Sequence, residues 1–177
     1  MENAVSSFLE TGRLLFRKHV LADMDAYCAM EMDADVRRYV GGQPRTREVA
    51  EERFLGTLAP STGSLGMWAT VLKSENKYIG RCGIYQHVDS EAKPIHGEAA
   101  MGLYIAKDDW GKGYATEAGK AFVQFGFDAL KLSKIVAAID ARNNASVRVM
   151  EKLGFKLRDT EVGQWRTFYH FVLENHS

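Results

Sequence analysis

Trp110-Gly-Lys-Gly-Tyr-Ala-Thr-Glu117 lies between an apolar run ending near Ile105 and a helical pattern opening near Thr116. Two glycines one residue apart let the backbone turn tightly with its N–H groups pointing outward. The helix that follows adds unpaired N–H groups and the positive end of its dipole at the same spot. Strand, glycine loop and helix N-terminus together make a phosphate cradle. Alone, a Gly-x-Gly string serves equally well as a tight strand-to-helix turn. No Gly-x4-Gly-Lys-[Ser/Thr] string occurs, which removes a P-loop. The third position of a dinucleotide fingerprint is Thr116, and no acidic residue closes a strand about 20 residues later, so NAD is disfavoured with ATP.

Outward from the loop, residues 116–130 carry a helical apolar stripe in Ala118, Phe122, Phe125 and Ala129. Residues 134–139 read as a short buried strand and residues 144–153 as a helix stopped by Gly154. Strands at 156–160 and 166–173 close the chain. On the other side, 13–18 reads as a first strand and 22–32 as a helix. Thr46 caps a second helix to about Leu58, with Val49, Phe54 and Leu58 as core candidates. Residues 60–63 (Pro-Ser-Thr-Gly) break the pattern. Residues 67–72 and 77–85 form a hairpin, 87–96 a polar loop, and 98–105 the strand that feeds the glycine loop. The order implies a mixed α/β or α+β domain.

With 177 residues and no repeat or linker, the expectation is one domain over residues 1–177. Lys plus Arg number 23 and Asp plus Glu 23, giving no general attraction to nucleic acid or anionic membranes. Cys28 and Cys82 form no metal or disulfide framework, and no metal site is expected. Residues 1–11 hold no apolar run of signal-peptide length. The longest apolar stretch, 135–139, is far short of the roughly 20 residues a spanning helix needs. A soluble, reducing, cytoplasmic setting is expected, as a monomer or homodimer.

These residues carry a family resemblance. Residues 110–116 resemble the pyrophosphate loop of the GNAT acyl-CoA N-acetyltransferases, [Gln/Arg]-x-x-Gly-x-[Gly/Ala], with Gly113 and Ala115 at the small positions and Trp110 replacing Gln or Arg. That replacement is similar to the RimJ/RimL branch, which acetylates ribosomal-protein N-termini. Glu10-Thr-Gly-Arg-Leu-Leu-Phe-Arg17 resembles the branch's opening strand. Asn143-x-x-Ser146-x-Arg148-x-x-Glu151-Lys-Leu-Gly-Phe155 resembles its second cofactor segment. The resemblance implies a mostly antiparallel twisted sheet of about seven strands, helices on both faces and a splayed cofactor-binding strand pair.

It further implies acetyl-CoA as co-substrate. Leu103, Tyr104 and Ile105 would pair with the pantetheine arm through main-chain groups. The backbone of Gly111, Lys112, Gly113, Tyr114, Ala115 and Thr116 would hold the pyrophosphate. Asn143 would hydrogen-bond the pantetheine, or serve simply as a helix cap. Main-chain N–H groups near the splay could polarise the thioester carbonyl.

Attack on a thioester needs a neutral amine, and an α-amine, with pKa near about 8, is deprotonated more easily than a lysine near about 10.4. A base and a donor for the departing thiolate would each help by roughly 10²–10⁴-fold. The family's usual tyrosine donor position is Met150 here, which cannot donate. Ser146, one turn earlier on the same helix face, is the substitute, against the alternative that it caps the first turn. Glu98 is the leading base candidate, two residues before the branch's frequent glutamate position, here Ala100. Its alternative is a solvated edge-strand carboxylate. Glu161 is a weaker second, His87 and His96 read as surface histidines, and Glu117 as a helix N-terminal support.

In this family the acceptor is chosen by the loops at about 33–45 and 159–165. Tyr39 and Trp165 could wall a slot there, and Asp33, Asp35 and Glu161 could attract a cationic amine. Arg37, Arg38, Arg45 and Arg47 make the first loop locally basic, so an acidic acceptor stays open. The function expected is acetyl transfer to a primary amine by direct attack in a ternary complex, foremost at a protein N-terminus. Small-molecule amines (aminoglycosides, polyamines, amino-acid derivatives), a non-catalytic acyl-CoA-binding module and a nucleotide binder are the alternatives.

Overall fold

A computed structural model describes residues 7–59 and 63–176, so most of the 60–63 break falls outside the described residues. Strands β1 (Ser7–Glu10) and β2 (Leu14–Arg17) precede helices α1 (Met24–Met32), α2 (Ala34–Arg37) and α3 (Arg47–Thr57). Then come β3 (Gly66–Leu72), β4 (Lys77–Val88), β5 (Pro94–Ile105), α4 (Tyr114–Asp128), β6 (Lys134–Asp140), α5 (Asn144–Lys152), β7 (Lys156–Val162) and β8 (Thr167–Glu174). Among the described residues the sheet has eight strands in the order β1-β2-β3-β4-β5-β6-β8-β7. The pairs β1/β2, β2/β3, β6/β8 and β7/β8 are antiparallel and β5/β6 is parallel.

The expected sheet of about seven strands has eight among the described residues, the added one being β1 at the N-terminus. Thr11 closes a tight turn, its amide donating to the Leu14 carbonyl at 2.9 Å and its hydroxyl accepting from the Leu14 amide at 3.0 Å. That turn folds β1 back on β2, and four residues are too few to show an alternation. The polar loop expected at 87–96 shrinks to 89–93. Asp89 Oδ1 accepts from the amides of Glu91 and Lys93 at 2.8 and 3.0 Å, an Asx turn that lets both strands run on. His87 and His96 therefore sit in strands.

Contacts divide the chain into two compact units, one formed by residues to 64 with Trp68–Cys82 and Tyr104–Tyr114, the other by Leu65–Met67, Gly83–Leu103 and 115 onward. In the first, Tyr27, Cys28, Met30, Ala50, Phe54, Ala69 and Tyr78 form the core. Thr46 caps α3 as expected, its hydroxyl accepting from the Val49 amide. Ala50, Phe54 and Leu58 share the inward face at i, i+4, i+8, whereas Val49 is turned about 100° away and is 40% exposed, a correction to the expected core. In the second unit α4 lies close on its partners. A Cβ on Gly126 would meet Ile84, Ile135 and Leu132 at 3.0–3.2 Å, and Ala118 and Phe122 are fully buried.

Candidate active site

After β5 the chain makes one 3-10 turn, Lys107–Asp109, before the glycine loop. Trp110 Nε1 donates to the Ile105 carbonyl at 2.7 Å and the Ala106 amide donates to Ile79 at 2.8 Å, so the loop is tied to the strand it leaves. Asp109 is 2% exposed and accepts from Lys112 Nζ at 2.8 Å and Lys77 Nζ at 2.9 Å. Burial would raise its carboxyl, but the two lysines outweigh it and hold the group below the usual carboxylate range.

Gly111 and Gly113 have φ of 74° and 82°, a conformation that disfavours any side chain. A Cβ on Gly111 would meet nothing within 4 Å, so the outward face of the loop is open to a ligand. Arg13 braces the other side, with Nη1 donating to the Lys112 carbonyl at 3.0 Å and its guanidinium 4.6 Å from the Tyr114 ring centroid. The helix opens at Tyr114, two residues earlier than expected. The amides of Tyr114, Ala115 and Thr116 thus fall in its first turn, where they lack intrahelical partners. First-turn amides, a helix dipole and flanking cations fit a diphosphate.

In the second unit β5 and β6 pair through Glu98↔Lys134, Ala99↔Ile135 and Ala100↔Val136, and among the described residues the register goes no further. β6 continues against β8 to Asp140↔Phe168 while β5 departs, which is the splayed pair. Leu103 follows the point of departure, and Tyr104 and Ile105 continue the strand. The Ile105 carbonyl accepts from Trp110, and the Tyr104 main chain is hydrogen-bonded to Cys82.

Asn143 Oδ1 accepts from the Ser146 amide at 3.2 Å, so the side chain does cap α5; its amide nitrogen is the part suited to a ligand. Ser146 is half-buried, one turn before the buried Met150. Glu98 Oε1 pairs with Lys134 Nζ at 2.6 Å and its Oε2 lies 2.9 Å from His87 Nδ1. Burial would raise this carboxyl too, yet the bonds from Lys134 and His87 dominate and place it below the usual range. Glu98 is therefore no isolated edge carboxylate.

The acidic residues expected to draw a cationic amine are engaged elsewhere. Asp33 caps α2, accepting from the amides of Asp35 and Val36. Asp35 pairs with Lys107 at 2.6 Å and with Arg38, and Glu161 with His170 at 3.0 Å. Trp165 is 83% exposed. The braces at Arg13 and Asp109 were not foreseen. Arg13 meets Lys112 across 99 residues of sequence, a distance no local pattern bridges. Among the described residues no helix is long and apolar enough to cross a membrane, and no group of three or more His, Cys, Asp or Glu is placed to hold a metal ion.

Residues 13–156 match the acetyltransferase (GNAT) domain model. The chain is 30% identical over 165 residues, 89% of each protein, to the uncharacterized N-acetyltransferase p20 of Bacillus licheniformis. The GNAT-family acetyltransferase from Bacillus anthracis superposes with a TM-score of 0.80 over 94% of this chain and 97% of that one, at 24% identity. The spermidine N-acetyltransferase from Vibrio cholerae, solved with CoA and spermine, gives 0.75 over 93% and 96%, at 18% identity. The chain belongs to the GNAT acetyltransferase family. It is an acetyl-CoA-dependent N-acetyltransferase, and the module and nucleotide-binder alternatives fall away.

Proposed function

We propose that residues 1–177 act as one domain that acetylates a primary amine by direct attack in a ternary complex, and that the amine is a protein N-terminus, as in the RimJ/RimL branch. The observation carrying the reading is the open glycine loop at the start of α4, on the strand that parts from β6. Bound acetyl-CoA supplies the acetyl group as a thioester. The amides of Gly111 through Thr116 would hold its diphosphate, and Leu103, Tyr104 and Ile105, together with Asn143, its pantetheine. Cys28 and Cys82 are buried free thiols, which argues against a covalent relay through cysteine and fits a reducing, cytoplasmic compartment.

Ser146 is assigned to protonate the departing thiolate. The Asn143 cap takes the Ser146 amide rather than its hydroxyl, which leaves Oγ to donate. Glu98 is assigned the base role together with His87. Its lysine-paired carboxylate is a poor base alone, and a proton leaving the amine would reach it through the imidazole.

Ser146→Ala is expected to lower kcat about 10–100-fold with acetyl-CoA affinity unchanged, because the Asn143 cap bonds the Ser146 amide rather than its hydroxyl. Steady-state kinetics beside CoA calorimetry checks it, and parental turnover would return Ser146 to a structural role. Glu98→Gln is expected to lower kcat by about 10²-fold and to alter the pH–rate profile. An unchanged profile would leave Glu98 as a strand anchor for Lys134.

The overall test is release of CoA with a panel of N-terminal peptides beside spermidine and aminoglycosides. A polyamine acceptor is the second reading, favoured by the likeness to the Vibrio cholerae enzyme. Turnover of polyamines in preference to every peptide would establish it.

A further inference from the structure

Arg81 on β4 is 13% exposed and lies between two aromatic rings, its guanidinium carbon 4.6 Å from the Tyr27 centroid and 4.8 Å from that of Tyr104. Both rings pack against the guanidinium and restrain it. One edge is used: Nη2 donates to Glu31 Oε1 at 2.5 Å. Among the described residues Nη1 is buried and has no hydrogen-bond partner.

Glu31 is shared further. Its Oε2 pairs with Arg45 Nε at 2.6 Å and with Arg37 Nη1 at 3.4 Å. Three buried or half-buried guanidiniums thus face one carboxylate, a local charge of about +2 from these four side chains. Burial alone would raise the Glu31 carboxyl, but Arg81 above all, with Arg45 and Arg37, holds it below the usual range. The cluster is short of negative charge, and an unmade bond from a buried cation is costly. Arg37 and Arg45 belong to the loop from which acceptor choice is expected. Tyr104 belongs to the strand run assigned to the pantetheine, so Arg81 stands one side chain from where that arm would lie.

We propose that the acceptor carries a carboxylate close to its amine, and that Arg81 receives it through Nη1. The inference rests on the acetyl-transfer reading above and narrows its substrate class. The carboxylate is planar and singly charged, matching the guanidinium edge that Nη1 leaves without a partner, and the +2 cluster repels polycations. It could be an acidic side chain near a peptide N-terminus or the α-carboxylate of a free amino acid.

The test compares isosteres on the intact protein. Amide-capped tripeptides with Asp or Glu at the first or second position are set against their Asn and Gln counterparts, and free amino acids against their carboxamides. Acetyl transfer is expected to favour the carboxylate by about 10–100-fold in kcat/KM, in the first arm for a peptide acceptor and in the second for a free amino acid. Arg81→Gln is expected to erase that preference while leaving CoA affinity intact. Equal rates for carboxylate and carboxamide in both arms, or a preference for spermidine, would overturn the inference while acetyl transfer stands.

Silence with every amine, despite acetyl-CoA binding, would count against the acetyl-transfer reading instead. Calorimetry of the CoA complex with the N-acetylated acid and its carboxamide then decides the subsite separately. Tighter binding of the acid by the parent supports it, and equal binding removes it. Because only the ligand changes between isosteres, the result holds even if Arg81→Gln fails to fold.

Discussion

Gly113→Glu is expected to abolish acetyl-CoA binding in a protein that still folds. At Gly113 φ is 82°, so a side chain costs about 1 kcal/mol in backbone strain. A Cβ there would meet only Arg13 Nη2, at 3.5 Å, an ordinary contact. A carboxylate beside that guanidinium and at the start of α4 is electrostatically tolerable for the fold. The same carboxylate would stand where the diphosphate is assigned and would repel it at short range. Thermal unfolding separates the two effects. Acetyl-CoA at about 100 times its Kd should stabilise the parent by roughly 2.7 kcal/mol, and the variant not at all. A variant that keeps the ligand-induced rise in Tm would move the diphosphate away from this loop.

Gly80→Ala is expected to damage both the fold and the cofactor strand. Gly80 has φ of 151°, and a Cβ there would collide with the Tyr104 carbonyl and approach Ile105 Cα at 3.0 Å. Backbone atoms cannot swing aside as a side chain can, so β4 or β5 must shift. The cost is about 2–4 kcal/mol, seen as a fall in Tm of roughly 5–15 °C. The displaced atoms belong to residues assigned to the pantetheine, so acetyl-CoA affinity should fall as well. Parental Tm in the variant would show that the two strands have room that the geometry denies them.

Much of this was legible in advance. The glycine loop announced itself because two glycines at left-handed φ and a helix start are local requirements, met by residues 111–116 alone. The Thr46 cap and the Gly154 stop are local in the same way, since each depends on a backbone group within about four residues. Errors came where a neighbour in space decided the outcome. Val49 has the chemistry of a core residue and faces solvent because Ala50 and Phe54 set the buried face of α3. His87 and His96 lie in a polar stretch, yet the Asx turn at Asp89 extends the strands over both.

Glu98 shows the boundary within a single residue. Its presence on the strand before the loop can be read from the chain, but its acidity is set against burial by Lys134 and His87, the first brought beside it by the parallel pairing of β5 with β6.

By itself the sequence determined the glycine loop, the order of most elements and the family, because each is carried by residues adjacent in the chain. Tertiary structure alone decided the brace from Arg13 to Lys112, the burial of Asp109 between two lysines, and the sandwich of Arg81 between Tyr27 and Tyr104. Those are contacts between residues from 3 to 99 positions apart. The energy of a charge depends on what surrounds it in space, and no local pattern records that.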